Sequence, residues 1–245
     1  MEGSGLILAF GLALIHAGVN RLNALIFIPE HRWLSFAGGV SIAYVFVDIF
    51  PHLSHFQEQL DHSGTLAALD IENSVYIASL FGLLVFYGLD ILAINSRQKN
   101  RKANGQNCTH TTIFWIHLIG FAVLNLVFGY LMQELSHHSL VQSVLFFIAI
   151  ALHFFVADRG LWEHNKTLYN KRGRWILTVA ILVGAIIGQT VELHRETLAI
   201  IWSFLAGSLI MNILKRELPD EQTSCFWSFV VGVVLYAGLI FVAES

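Results

Sequence analysis

"SFAGGVSIAYVFVDIFP", residues 35–51, carries a single charged side chain, Asp48. At about 1.5 Å of rise per residue, a helix of this length covers most of the ~30 Å hydrocarbon core of a bilayer. A related stretch, "SFLAGSLIMNILKRELP", occupies residues 203–219. Without a gap, and at a constant offset of 168, Ser35 aligns with Ser203, Phe36 with Phe204, Gly39 with Gly207, Ile42 with Ile210 and Pro51 with Pro219. Small residues and Phe recur in membrane helices generally, so the five identities gain their weight from where the two stretches sit in the chain.

Outward from this pair, the composition is that of a membrane protein. Hydrophobic residues make up 56% of the 245 and charged residues 13%, about half the charged share of a soluble domain. Eight apolar segments are readable, near 5–28, 34–55, 73–95, 112–133, 140–160, 174–193, 196–215 and 226–243. Each is long enough to cross a bilayer. The expected fold is an all-α polytopic membrane protein, a single transmembrane domain over residues 1–245. The opening Met-Glu-Gly-Ser-Gly lacks the basic region of a signal peptide, so the first segment reads as a retained helix. A net charge of −3 gives no reason to expect nucleic acid as a partner. Two cysteines, Cys108 and Cys225, make no disulfide framework.

The loops alternate in charge. Those near 29–33, 96–111, 161–173 and 216–225 hold nearly all the lysines and arginines, with Arg159, Lys215 and Arg216 at or beside helix ends. The opposite loops carry Glu58, Asp61, Asp70, Glu72 and Glu134, with Arg195 as their one base. The positive-inside rule then places the 96–111 loop in the cytoplasm and both termini outside, in a plasma or inner membrane. Arg21 lies within the first segment, in its inner half, from which it can snorkel. Trp33, Trp115, Trp162, Trp175 and Trp227 fall near inner ends, as interfacial anchors do. In this orientation residues 35–51 run outward and 203–219 run inward. The expectation is an inverted repeat of spans 1–3 and 6–8 around spans 4 and 5. Many secondary transporters are built this way, with the substrate near the midplane.

The chain resembles the ZIP family of divalent-metal transporters. The resemblance covers its whole length: eight spans, external termini and a basic loop between spans 3 and 4. "GGVSIAYVFVDIFPH" is similar to the family's Gly-rich second span ending in Pro and a polar residue, and "KRELPDE" ends the seventh. The family's span 4 motif, His-Asn-x-x-Asp-Gly, meets "LNLVFG" at 124–129. Asn125 and Gly129 match, while Leu124 and Phe128 replace the histidine and the acid. Its span 5 motif, His-Glu-x-Pro-His-Glu, meets "HFFVAD" at 153–158, which keeps His153 and an acid, Asp158. The resemblance implies a non-enzymatic transporter that moves zinc, iron or manganese as substrate toward the cytoplasm. Alternating access would rock spans 1, 4, 5 and 6 against the rest. The implied partners are the metal ion and membrane lipid, and homodimerisation stays open.

The metal ligands implied are Asn125, His153 and Asp158, with Asp48 and His52 nearer the outer face. Asp48 and His52 are four apart and share a helix face. His153 and Asp158, five apart, are rotated by about 140° and do not easily share one ion. His153 is expected to face the interior, within direct or water-bridged reach of Asn125. The alternatives are an interhelical bond for Asn125 and an end-of-helix pair with Arg159 for Asp158. His55, His62, His137 and His138 lie further out; His16, Asp90, His117, Gln189 and Asn212 read as packing residues. "NSRQKNRKANGQNCTH", 95–110, reads as a mobile polar linker. A rival reading is a ZIP scaffold that has lost transport and serves a regulatory or lipid-binding role. Leu124 and Phe128 plugging the space between spans 4 and 5 would favour that rival. A membrane-embedded hydrolase finds no nucleophile and base at a workable spacing.

Overall fold

The computed structural model describes residues 4–25, 29–63, 73–105, 107–217 and 225–244, and these are helical with short connections. In chain order the elements are α1 (Ser4–Leu25), α2 (Glu30–Tyr44), a first π-helical turn (Val45–Ile49), α3 (Phe50–Ser63), α4 (Ser74–Asn104), α5 (Thr111–His138) and α6 (Leu140–His164). Then come α7 (Lys166–Leu168), a second π turn (Tyr169–Gly173), α8 (Arg174–Thr190), α9 (Arg195–Asn212), a third π turn (Ile213–Glu217) and α10 (Phe226–Glu244). Among the described residues seven helices are long and apolar enough to cross a membrane, and α1 adds a shorter apolar helix over Ser4–Gly18. The chain is thus an all-helical integral membrane protein. Asp70, Glu72 and Pro219, and the side chains of Arg21, Asp61, His62, His137, His138 and Arg216, lie outside the described residues.

Helix ends follow local chemistry. α5 and α6 are joined by Ser139 alone, whose hydroxyl accepts the Gln142 N–H at 3.3 Å and so caps α6. α4 ends at Gly105, whose φ of 71° is left-handed and whose N–H donates to the Arg101 carbonyl at 3.1 Å. The helix therefore runs nine residues beyond the predicted end at 95, because an apolar window senses only the part of a helix that lies in lipid. The expected mobile linker is correspondingly tied down. Arg97 Nε donates to Asn107 Oδ1 at 2.8 Å, Asn100 Nδ2 to the Cys108 carbonyl at 2.9 Å, and the His110 N–H to Ser96 Oγ at 2.9 Å. For the same reason the sixth predicted span starts at Lys166, eight residues early.

α1, α5, α6 and α8 pack against one another as a central bundle, α2 lies along α10, and α4 lies along α9. Outward faces carry Leu80, Phe81 and Leu84 of α4 and Val234, Phe241 and Val242 of α10. Such surfaces suit hydrocarbon and would be a liability in water. The α2–α10 and α4–α9 contacts are backbone to backbone. A β-carbon at Gly39 would collide with the Phe229 carbonyl, and one at Gly232 with that of Phe36. A β-carbon at Gly207 would collide with the Ser79 carbonyl, and one at Gly82 with that of Phe204. Only residues without a β-carbon allow this approach. The first and third π turns are 168 residues apart.

Candidate functional site

Three buried polar side chains, from α1, α5 and α6, meet inside the central bundle. His16, Asn125 and Asp158 are each at most 2% exposed. His16 Nε2 lies 2.6 Å from Asn125 Oδ1, and His16 Nδ1 lies 2.9 and 2.8 Å from the two Asp158 oxygens. Asn125 Nδ2 donates to the Phe121 carbonyl at 2.8 Å, which turns Oδ1 toward the imidazole. Nε2 must then carry a proton, since Oδ1 can only accept. The Asp158 carboxyl group takes up Nδ1. Every hydrogen-bonding atom of the imidazole is spent inside the protein, as a group buried at this depth requires.

Asn125 and Asp158, two of the three candidate ligands, are therefore brought together, and the group joining them is His16, a residue whose sequence context reads as packing. Asp158 is held by His16, while Arg159 Nε faces Glu163 Oε1 at 3.5 Å. His153 faces the interior, as expected, and is 3% exposed. Its ring sits 6.3 Å from that of Phe128 and 6.2 Å from that of Phe154. Phe128 stands edge-on to Phe154 at 5.3 Å and 6.1 Å from Phe146, so it fills the space between α5 and α6, with Leu124 buried on the same helix. The space between α5 and α6 at positions 124 and 128 is thus filled by apolar packing. The His16 ring in turn lies 4.5 Å from that of Phe154.

Asp48 and His52 do form a pair, at the first π turn. His52 Nδ1 donates to the Asp48 main-chain carbonyl at 2.8 Å, and the nearer Asp48 carboxylate oxygen is 3.8 Å away. A π turn shifts the backbone ladder by one residue and often marks a functional position. With Nδ1 protonated, a neutral His52 presents Nε2 as an acceptor, the arrangement common in metal-binding histidines. The His52 ring is stacked on Trp202 at 6.3 Å, interplanar angle 10°. Asp48 and His52 border a cavity of about 30 Å³ with Tyr44, Gln142 and Phe146, room for a water or two. Among the described residues no three His, Cys, Asp or Glu side chains gather around a single point.

A second intramembrane ion pair was not foreseen. Asp90, buried on α4, pairs with Lys215 Nζ in the third π turn, and the ammonium also lies 5.1 Å from the centre of the Tyr87 ring. A lone acid in the middle of an apolar span signals that a cation is needed nearby. No protein-family model, curated protein or solved structure matches the chain.

Proposed function

We propose that the chain is an eight-span, ZIP-like membrane scaffold, built as an inverted repeat, in which divalent-metal transport has given way to a regulatory or lipid-binding role. The observation that carries this reading is the interior of the α5–α6 pair. Phe128 is packed where the resemblance calls for an acid, and two of the three candidate ligands, Asn125 and Asp158, are committed to His16. Charge argues the same way. A single carboxylate leaves a divalent ion with an uncompensated charge, which at this depth costs several kcal/mol. The His16–Asn125–Asp158 chain then acts as a metal-independent lock joining α1, α5 and α6.

The repeat is supported by three coincidences: equal spacing of the π turns, of the sequence identities and of the glycine contacts. The charge bias of the loops supports external termini. Ser245→Cys should then react with an impermeant maleimide on intact cells while Cys108 does not, and the reverse pattern would overturn the orientation.

One observation favours the second reading, a permease for zinc, iron or manganese: the Asp48–His52 pair borders a cavity and presents an available imidazole nitrogen. Metal uptake into proteoliposomes separates the two. The scaffold reading expects zinc, iron and manganese to enter no faster than into protein-free vesicles. Saturable uptake that disappears in Asp158→Asn would establish the permease.

A further inference from the structure

Past its apolar part α4 carries Arg97, Lys99, Arg101 and Lys102, and the chain holds no acidic residue between Asp90 and Glu134. A bias in loop charge accounts for basic residues here but asks for no particular arrangement of them. They are arranged nonetheless. Ile94, Arg97 and Arg101 follow one another at three and four residues and so share a helix face. With Gln98 and Asn107 they line a cavity of about 240 Å³. Asn107 Oδ1 accepts from Arg97 Nε at 2.8 Å, which orients the guanidinium and leaves its outer nitrogens and the Asn107 amide as donors. The segment that supplies Asn107 is anchored on both sides, by the Gly105 N–H to the Arg101 carbonyl and by Asn100 Nδ2 to the Cys108 carbonyl. Among the described residues neither arginine has an acidic partner.

Depth decides what such a cavity meets. At about 1.5 Å per residue, Arg97 stands ~4–5 Å and Arg101 ~10 Å beyond Ile94 along the helix axis. The headgroup layer adds roughly 5–8 Å to each side of the hydrocarbon core. With Ile94 at the apolar boundary, Arg97 falls within that layer and Arg101 at its outer edge. Tyr87 and Leu80, seven and fourteen residues before Ile94, continue the same face as an exposed apolar stripe. We infer that this cavity binds the headgroup phosphate of an anionic phospholipid, whose acyl chain lies along that stripe. Guanidinium groups take phosphate oxygens in pairs, and a cluster of bases directly beyond a span suits an anionic leaflet. The inference gives the lipid-binding side of the proposed function a site and a ligand class, and it rests on that reading. It does not depend on whether metal is transported, so the uptake assay and the one below can fail separately.

The test is native mass spectrometry of the full chain in detergent, titrated with phosphatidylglycerol and with phosphatidylcholine of the same acyl chains. The unmodified chain should retain one phosphatidylglycerol under conditions that strip phosphatidylcholine. Arg97→Gln combined with Arg101→Gln should weaken that retention about tenfold or more. Lys171→Gln combined with Arg172→Gln removes two exposed charges from another basic loop and should leave it unchanged. Millimolar inorganic phosphate should not displace the lipid. Equal retention of the two lipids, or equal losses in the two double variants, would overturn the assignment. Displacement by inorganic phosphate would overturn it too, in favour of a site for free phosphate.

Discussion

In residues 35–51 and again in residues 203–219 a serine hydroxyl turns back to the carbonyl four residues earlier. Ser35 Oγ donates to His31 at 2.8 Å and Ser203 Oγ to Ala199 at 2.6 Å. Four residues on, a glycine presses its backbone against a neighbouring helix, Gly39 against α10 and Gly207 against α4. Six residues further, each helix opens into a π turn. The chemistry at those turns is opposite. Asp48 in the first sits with His52 at a cavity, whereas Lys215 in the third closes on buried Asp90. Uncharged features set how each helix packs, and that leaves ionisable positions free to diverge. The comparison shows two helices that pack alike while their ionisable residues do different things.

The strongest way to break the comparison is at the glycines. Gly39→Leu and Gly207→Leu should each destabilise the protein by more than about 3 kcal/mol, beyond ordinary overpacking, because backbone must move. Gly88→Leu, where nothing lies within 4 Å, should be nearly silent. Unfolding in mixed micelles measures all three. A tolerant Gly207 beside an intolerant Gly39 would mean the two contacts are not equivalent.

A smaller effect sharpens the difference between the turns. Lys215→Met strands a buried carboxylate at Asp90, at a cost of up to about 3–5 kcal/mol. Adding Asp90→Leu should recover most of that loss, since a well-packed apolar pair replaces a buried ion pair at little cost. The same unfolding assay reads both, and a double variant no better than the single would show that the pair has a role beyond neutralising charge.

The smallest effect is at the α2–α10 contact. Ser35 Oγ also accepts the Cys225 N–H at 3.0 Å, which places Cys225 at the start of α10. The Ser228 hydroxyl, 3.2 Å from Cys225 Sγ, is the main cause that holds this thiol below its ordinary pKa, with Arg32 nearby adding to it. A lowered pKa means more thiolate at a given pH, and thiolate is the reactive form. Ser228→Ala should therefore slow alkylation of Cys225 by a few-fold near neutral pH, with the rates converging in more alkaline buffer. Equal rates at every pH would remove Ser228 from the account.

Much of the fold was readable because lipid-crossing helices announce themselves by apolar length. Helix ends were not, since the basic residues after 95 continue α4 outside the apolar window. In the site, Asn125 and Asp158 stand at legible motif positions, whereas His16 lies on α1, outside both motifs. A signal existed: an imidazole midway along an apolar span needs partners. Which partners depends on helix rotation and tilt, which packing against neighbours decides. The Lys215–Asp90 pair was hidden for a similar reason, because the cation stands at a span end and the acid within another span.

The central claim is that His16–Asn125–Asp158 is a lock that works without metal. A double-mutant cycle of His16→Ala and Asp158→Ala, read as unfolding free energy, measures it directly. The account predicts a coupling of about 1–3 kcal/mol between the two residues, equal in chelator and in saturating zinc. A coupling that vanishes in chelator, or zinc binding at this site that is lost with Asp158, would contradict it.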